Sequence, residues 1–181
     1  MKLPPVGNVC SGCGTCAGIC PHSVIEMHRN CQGIYLPTVK DLEKCRECGL
    51  CLKVCPNISL DMIKLDRLIF GSSPNNVLLG NFINCYVGHS TDEMIRNRSA
   101  SGGLATALIA FALERKMIDG AIVTRMSRVN PLEPEVFISR SREETISAAK
   151  SKYCPVPLNI ALKNISNQDG KFAVVGLPCH I

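Results

Sequence analysis

Apolar residues fall into short runs between residues 24 and 39 and into longer periodic stretches after residue 60. Residues 24–27 and 34–39 read as two strands, with Asn30, Gln32 and Gly33 supplying the turn of a hairpin. Residues 60–69 (LDMIKLDRLI) set apolar side chains three and four positions apart, the spacing of a helix. The polar stretch 71–76 (GSSPNN) has the composition of a linker. Residues 84–88 read as a short strand, with Cys85 as a small buried apolar residue. Thr91 is expected to cap a short helix whose first turn holds Asp92 and Glu93. Residues 104–115, rich in Ala and Leu, form the strongest helical stretch of the chain.

Strands and helices then alternate. Residues 119–124 (DGAIVT) read as a buried strand, 129–135 as a proline-containing loop and 136–139 as a second strand. Ser141 and Glu144 have capping-box spacing for a helix reaching Lys150. Residues 158–165 read as another helix. Residues 171–176 (KFAVVG) are continuously apolar, as in a parallel sheet. That strand delivers Leu177, Pro178, Cys179 and His180 to its carboxyl end, where α/β sheets hold ligands. A buried strand needs a covering element, so this domain is expected to be incomplete, closed by a partner chain or by further sequence.

Cysteine chemistry changes the picture. Cys10, Cys13, Cys16 and Cys20 precede Pro21; Cys45, Cys48, Cys51 and Cys55 precede Pro56. Both runs read C-x2-C-x2-C-x3-C-P, the spacing of two-cluster [4Fe–4S] ferredoxins, in which the fourth cysteine serves the other cluster. The expected sets are therefore Cys10, Cys13, Cys16 and Cys55, and Cys20, Cys45, Cys48 and Cys51. Gly12 and Gly14 let the first loop close around an anion. Zinc favours separated cysteine pairs, and a disulfide framework needs an oxidising compartment; neither fits as well. Cys31, His22 and His28 are expected at the surface. The fold class expected is α+β: a ferredoxin fold over 1–57, a helix and linker over 58–83, and an incomplete α/β domain with a mostly parallel sheet over 84–181.

Charge and composition exclude some classes. The formal net charge is +5, but each cluster with its thiolates brings roughly −2, so basicity argues poorly for nucleic acid. Tryptophan is absent and aromatics make up only 4%, too few for a base-stacking surface. No apolar run reaches the length of a membrane span, and the first seven residues lack a signal-peptide pattern. A cytoplasmic location in a reducing compartment is expected.

One further pattern bears on ligands. Ser101, Gly102 and Gly103 open the helix at 104, with Arg96 and Arg98 upstream. Such a helix start suits a phosphate, although glycines before a helix more often mark an ordinary turn.

Ser101-Gly-Gly103, the strand at 119–123, Ser151-Lys-Tyr153 and Gly176-Leu-Pro-Cys179 occur in an order that resembles the coenzyme F-420 hydrogenase/dehydrogenase beta-subunit family, in the form with an N-terminal two-cluster ferredoxin. The resemblance spans essentially the whole chain and implies truncation at the C-terminal side. It implies a flavoprotein in which FAD passes electrons between clusters and a reducible partner such as the deazaflavin coenzyme F-420. Arg98, Ser101, Gly102, Gly103, Ser151, Lys152 and Tyr153 are its implied flavin residues. Cys179 matches a family cysteine that resembles a ligand of a further cluster; alone, it reads as a buried thiol. No catalytic residue is assigned. The expected partners are a redox protein or the missing C-terminal part. The alternative is a non-enzymatic electron carrier with a docking domain.

Overall fold

The structure, a computed structural model, describes residues 9–76 and 78–181; the first eight residues of the expected 1–57 unit and one residue of the 58–83 linker lie outside that range. Two copies of a loop-and-helix unit flank a hairpin. Helix α1 (Thr15–Ile19) starts after Gly14, and α2 (Leu50–Lys53) after Gly49. Both glycines are left-handed, with φ of 82° and 71°, a conformation that costs a side chain. Between the copies, β1 (Ile25–Arg29) pairs antiparallel with β2 (Tyr35–Val39), Ile25 opposite Val39. Asn30 closes the turn, its Oδ1 accepting from the N–H groups of Gln32 and Ile34. Helix α3 (Pro56–Ser59) begins on the proline after Cys55. Among the described residues Ala17, Val24 and Ile25 form the buried core cluster here, and cysteines pack against it.

Helix α4 (Met62–Phe70) is capped by Asp61, which accepts from the Lys64 N–H at 3.0 Å, and ends on left-handed Gly71. It buries no residue. The strand expected at 84–88 does not form. Cys85, Tyr86 and Val87 are exposed, because no neighbouring strand supplies hydrogen bonds to this stretch among the described residues. Cys85 is thus not the buried apolar residue expected.

Helix α5 (Glu93–Arg98) is capped by Asp92 rather than Thr91, with the Ile95 N–H at 3.0 Å. A carboxylate at the cap also meets the guanidinium of Arg142, which a threonine could not. Helix α6 (Leu104–Glu114) follows Gly103. The central strand β3 (Gly120–Met126) has β4 (Pro134–Ser139) on one side. Helix α7 (Arg142–Ser147) is capped by Ser141 and ends short of Lys150. The carboxylate of Glu144 reaches back to the Arg140 N–H at 2.7 Å, one residue beyond the usual capping-box partner. The expected helix at 158–165 splits into a 3-10 turn, Leu158–Ala161, and α8 (Leu162–Ile165). Strand β5 (Phe172–Val174) lies on the other side of β3, and a second 3-10 turn, Pro178–His180, follows it.

The sheet is mixed, not mostly parallel. β3 pairs antiparallel with β4, Ile122 opposite Ile138, and parallel with β5, Ile122 opposite Val174. The link between β3 and β4 is a short loop, which permits only a hairpin; a parallel pair needs a crossover of a dozen residues or more. Ile122 is fully buried and packs with Leu158 and Ala161, so the 3-10 turn covers one face. Ile95, Ala110 and Ile146 join α5, α6 and α7 in a second core. Buried Ser139 is satisfied by Thr145 Oγ1 at 2.7 Å, tying β4 to α7.

The two halves touch through α1. A Cβ on Gly18 would lie 2.0 Å from the Asn159 carbonyl oxygen, so α1 and the first 3-10 turn meet backbone to backbone. The Asn159 N–H donates to the Cys13 carbonyl at 3.0 Å. No helix among the described residues is long and apolar enough to cross a membrane.

Candidate functional site: two cysteine-lined hollows and a cleft

Each loop-and-helix unit bends its cysteine run with two left-handed residues. They are Gly12 and Gly14 in the first copy, and Glu47 and Gly49 in the second. This curvature brings three cysteines of each run to the wall of one hollow. Cys10, Cys13 and Cys16 line one hollow, and Cys55 of the other copy completes it. Cys45, Cys48 and Cys51 line the second hollow with Cys20. Cys51 borders both. Cys20 and Cys55 each precede a proline and are extended, with ψ of 111° and 116°, as proline requires of its predecessor. That geometry carries each fourth cysteine away from its own run.

Burial pushes the Cys16 thiol up to about 12, and its neighbours Cys13, Cys10 and Cys51 push the same way. Burial also raises Cys51. Thiols so crowded hold their protons against water and give them up to cations. The donor set, its curvature and the two hollows fit a pair of clusters. Cys31 is exposed, as are His22 and His28.

A larger cleft opens at the carboxyl ends of β3 and β5. Val123 and Thr124 come from the first strand, Val175 and Gly176 from the end of the second, and Ala105 and Thr106 from the first turn of α6. Ser151, Lys152, Cys154, Cys179 and His180 also line it, and so does Ser11, the neighbour of Cys10. Helix α6 has no side-chain cap. Its first backbone bond runs from the Ala107 N–H to the Gly103 carbonyl, so the N–H groups of the first turn are without intrahelical acceptors.

The seven residues expected around a flavin divide. Ser151 and Lys152 line the cleft. Ser101, Gly102 and Gly103 are not among its lining residues, and their glycines answer a local need. A Cβ on Gly102 would lie 2.5 Å from the Gly88 carbonyl oxygen, and one on Gly103 would lie 2.8 Å from Ser99 Oγ. Arg98 is exposed outside the cleft lining, while Arg96 donates to the Ser101 carbonyl. Tyr153 is 95% exposed and also outside the lining. The Lys152 ammonium is committed: it donates to the carbonyls of Ala149 and Lys150, each at 2.7 Å, and to that of Ala148. Burial lowers its pKa. Lys152 therefore holds the turn after α7 and is not the free cation expected for a pyrophosphate.

His180 accepts the Leu177 N–H on Nδ1 at 3.0 Å, so Nε2 carries the proton toward the Val156 carbonyl at 3.1 Å. Burial lowers its pKa, which keeps it neutral. Cys179 lines the cleft, partly buried, and Cys154 faces the same space. Sequence reasoning passed over Ser11, Cys154 and Asn159, because no spacing rule marks a residue that only folding brings to a cleft.

Residues 85–163 match the family described as coenzyme F420 hydrogenase/dehydrogenase, beta subunit N-term, and residues 9–60 match a 4Fe-4S dicluster domain. The beta subunit of coenzyme F420 hydrogenase from Methanosarcina barkeri is 34% identical over 105 residues, 57% of this chain and 36% of that protein. An uncharacterized protein of Methanocaldococcus jannaschii is 32% identical over 192 residues, 96% of this chain and 51% of that protein. The chain thus spans about half or less of these curated relatives. A chain of the F420-reducing [NiFe] hydrogenase complex from Methanosarcina barkeri is 32% identical, with 54% of this chain and 35% of that chain covered at a TM-score of 0.47.

Proposed function

We propose, for a chain that joins a 4Fe-4S dicluster domain to an N-terminal domain of the coenzyme F420 hydrogenase/dehydrogenase beta-subunit family, that it conducts electrons between a redox partner protein and a reducible ring system seated in the cleft. Cys10, Cys13, Cys16 and Cys55 hold one [4Fe–4S] cluster; Cys20, Cys45, Cys48 and Cys51 hold the other. The clusters supply one-electron transfer when bound. The chain supplies thiolates, loop curvature and burial.

The observation that carries this reading is the double position of Ser11. It borders the first hollow and also lines the cleft, so the inner cluster abuts whatever the cleft holds. The second hollow lies on the outer side, where Cys48 is exposed and α2 buries no residue. A redox partner would meet the group held by Cys20, Cys45, Cys48 and Cys51 on this exposed side, while Cys10, Cys13, Cys16 and Cys55 would hold theirs beside the cleft.

The ring system is FAD, with a deazaflavin such as coenzyme F420 as the outer acceptor or donor. FAD supplies exchange between single electrons and hydride. The uncapped first turn of α6 and the Ser151 hydroxyl bind its phosphates, because free N–H groups at a helix start attract anions. No catalytic residue is needed from the chain for single-electron steps.

Anaerobic reconstitution tests the proposal. About eight irons per chain are expected. Cys55→Ser should damage the cluster of Cys10, Cys13 and Cys16, while Cys20→Ser should damage the other; damage to each variant's own run would refute the ligand sets. Cys31→Ser should keep both clusters. FAD should bind weakly at best to this chain alone and firmly to a form in which the expected covering element is present; there Ala105→Glu, a surface change, should weaken binding roughly tenfold or more by facing the phosphates with a carboxylate. Iron–sulfur absorption with no FAD binding in that completed form would favour the simple electron carrier.

A further inference from the structure

A hydrogen-bond chain links the wall of the cleft to one cysteine sulfur of the inner hollow. Asn159 lies in the first 3-10 turn and is 3% exposed. Its Nδ2 donates to the His180 carbonyl at 2.9 Å and to Thr15 Oγ1 at 2.8 Å. Thr15 Oγ1 lies 3.2 Å from Cys13 Sγ.

The polarity of this chain is forced at each link. A carbonyl can only accept, so the nitrogen of the Asn159 amide must face His180. Its two N–H groups are then used by His180 and Thr15. Turning the amide over would set Oδ1 against the His180 carbonyl oxygen. The structure keeps the other orientation even though Oδ1 is then buried without a hydrogen-bond partner. Thr15 accepts from Asn159 and has one proton left to give. A cluster-bound thiolate has no proton and only accepts, so Thr15 donates to Cys13.

The second copy of the repeat has no counterpart. Thr15 is the residue before Cys16; the residue before Cys51 is Leu50, whose side chain carries no donor. Among the described residues this hydroxyl donor stands on the cluster beside the cleft and has no equivalent at the matching position of the other.

We propose that Thr15, oriented by Asn159, raises the reduction potential of the cluster held by Cys10, Cys13, Cys16 and Cys55; this rests on the ligand sets given above. Reduction adds one electron to the cluster and moves no proton. The added charge spreads onto the sulfurs, and a donor aimed at a sulfur stabilises the more negative state more. The inner cluster thereby sits above the potential its thiolates alone would set, which favours electron flow from the outer cluster toward the cleft.

Dithionite titration of the two-cluster protein, followed by low-temperature EPR, tests this. Thr15→Val keeps the shape and removes the donor. It should lower the potential of one cluster and leave the other in place, and Thr15→Ser should restore it. Asn159→Ala, which frees the hydroxyl to rotate, should move the same cluster the same way by a smaller amount. Unchanged potentials in Thr15→Val, or equal shifts in both clusters, overturn the proposal. A normal potential in Asn159→Ala overturns the part given to Asn159. Should Thr15→Val not load two clusters, Thr15→Ala takes its place in the same comparison. Iron content well below eight in the unaltered chain would instead refute the ligand sets, an outcome read before any potential is measured.

Discussion

Gly14 and Gly49 hold the same left-handed backbone and start equivalent helices, yet they face different surroundings. A Cβ on Gly14 would come within 3.0 Å of both the Pro157 carbonyl oxygen and Ile160, whereas one on Gly49 would meet nothing within 4 Å. Gly49→Ala should therefore cost only the left-handed strain, roughly 1–2 kcal/mol. Gly14→Ala should cost clearly more, because a well-packed backbone carbonyl has little room to yield. Melting curves of the two loaded variants give the order, and an equal loss would contradict the docked position of Gly14. Gly12 and Glu47 make a second pair, both left-handed at φ 69° and 50°. Gly12 must be small because β2 approaches it, with the Tyr35 carbonyl oxygen 3.0 Å from its would-be Cβ. Glu47 is exposed and tolerates a side chain in the same conformation. The cysteine sets were legible in the sequence because cluster ligation dictates spacing. Thr15 and Asn159 were not, because 144 residues separate them and only folding brings them together.

The positions of most elements followed the sequence closely; whether and in which direction a strand finds a partner did not. The hairpin, α4, α6 and β3 lie within a residue or two of where periodicity places them. The strand expected at 84–88 failed because alternation of apolar residues cannot reveal whether a partner strand exists. The expected mostly parallel sheet gave way to a mixed one at β4, because a strand's own sequence does not fix its direction relative to its neighbour, while the continuously apolar β5 does pair parallel. Contact between elements also carries the join of the two halves. Gly18 on α1 touches the backbone of the 3-10 turn, so Gly18→Ala must push α1 away from Asn159. The expected loss is roughly 1–3 kcal/mol, typical of overpacking. Hydrogen exchange should place it on α1 and residues 158–162 rather than on the hairpin. Unaltered protection there would mean that the halves are not held by this contact.

At the scale of the molecule, the N-terminal half has little core of its own. Three buried apolar residues and a ring of cysteine sulfurs fill its centre, so the clusters act as its interior. Metal-bound domains of this size commonly lose their fold with the metal. Stripping iron by chelation under oxidising conditions should melt residues 10–57, seen as lost amide protection, while β3–β5 and their helices persist. Retained protection in the stripped hairpin would show that the protein alone holds that half. The halves also differ in what they leave open. Helix α6 presents Leu108 and Phe111 outward, and Tyr86 and Val87 of the preceding stretch are exposed as well, surfaces that a partner would cover. The exposure of Cys48, set against the burial of Cys13, has a practical consequence for handling the protein. Dissolved oxygen reaches an exposed sulfur first, so brief contact with air should bleach the outer cube and spare the inner one. The damaged protein would still hold a cluster against its cleft but would have lost the terminal through which electrons arrive.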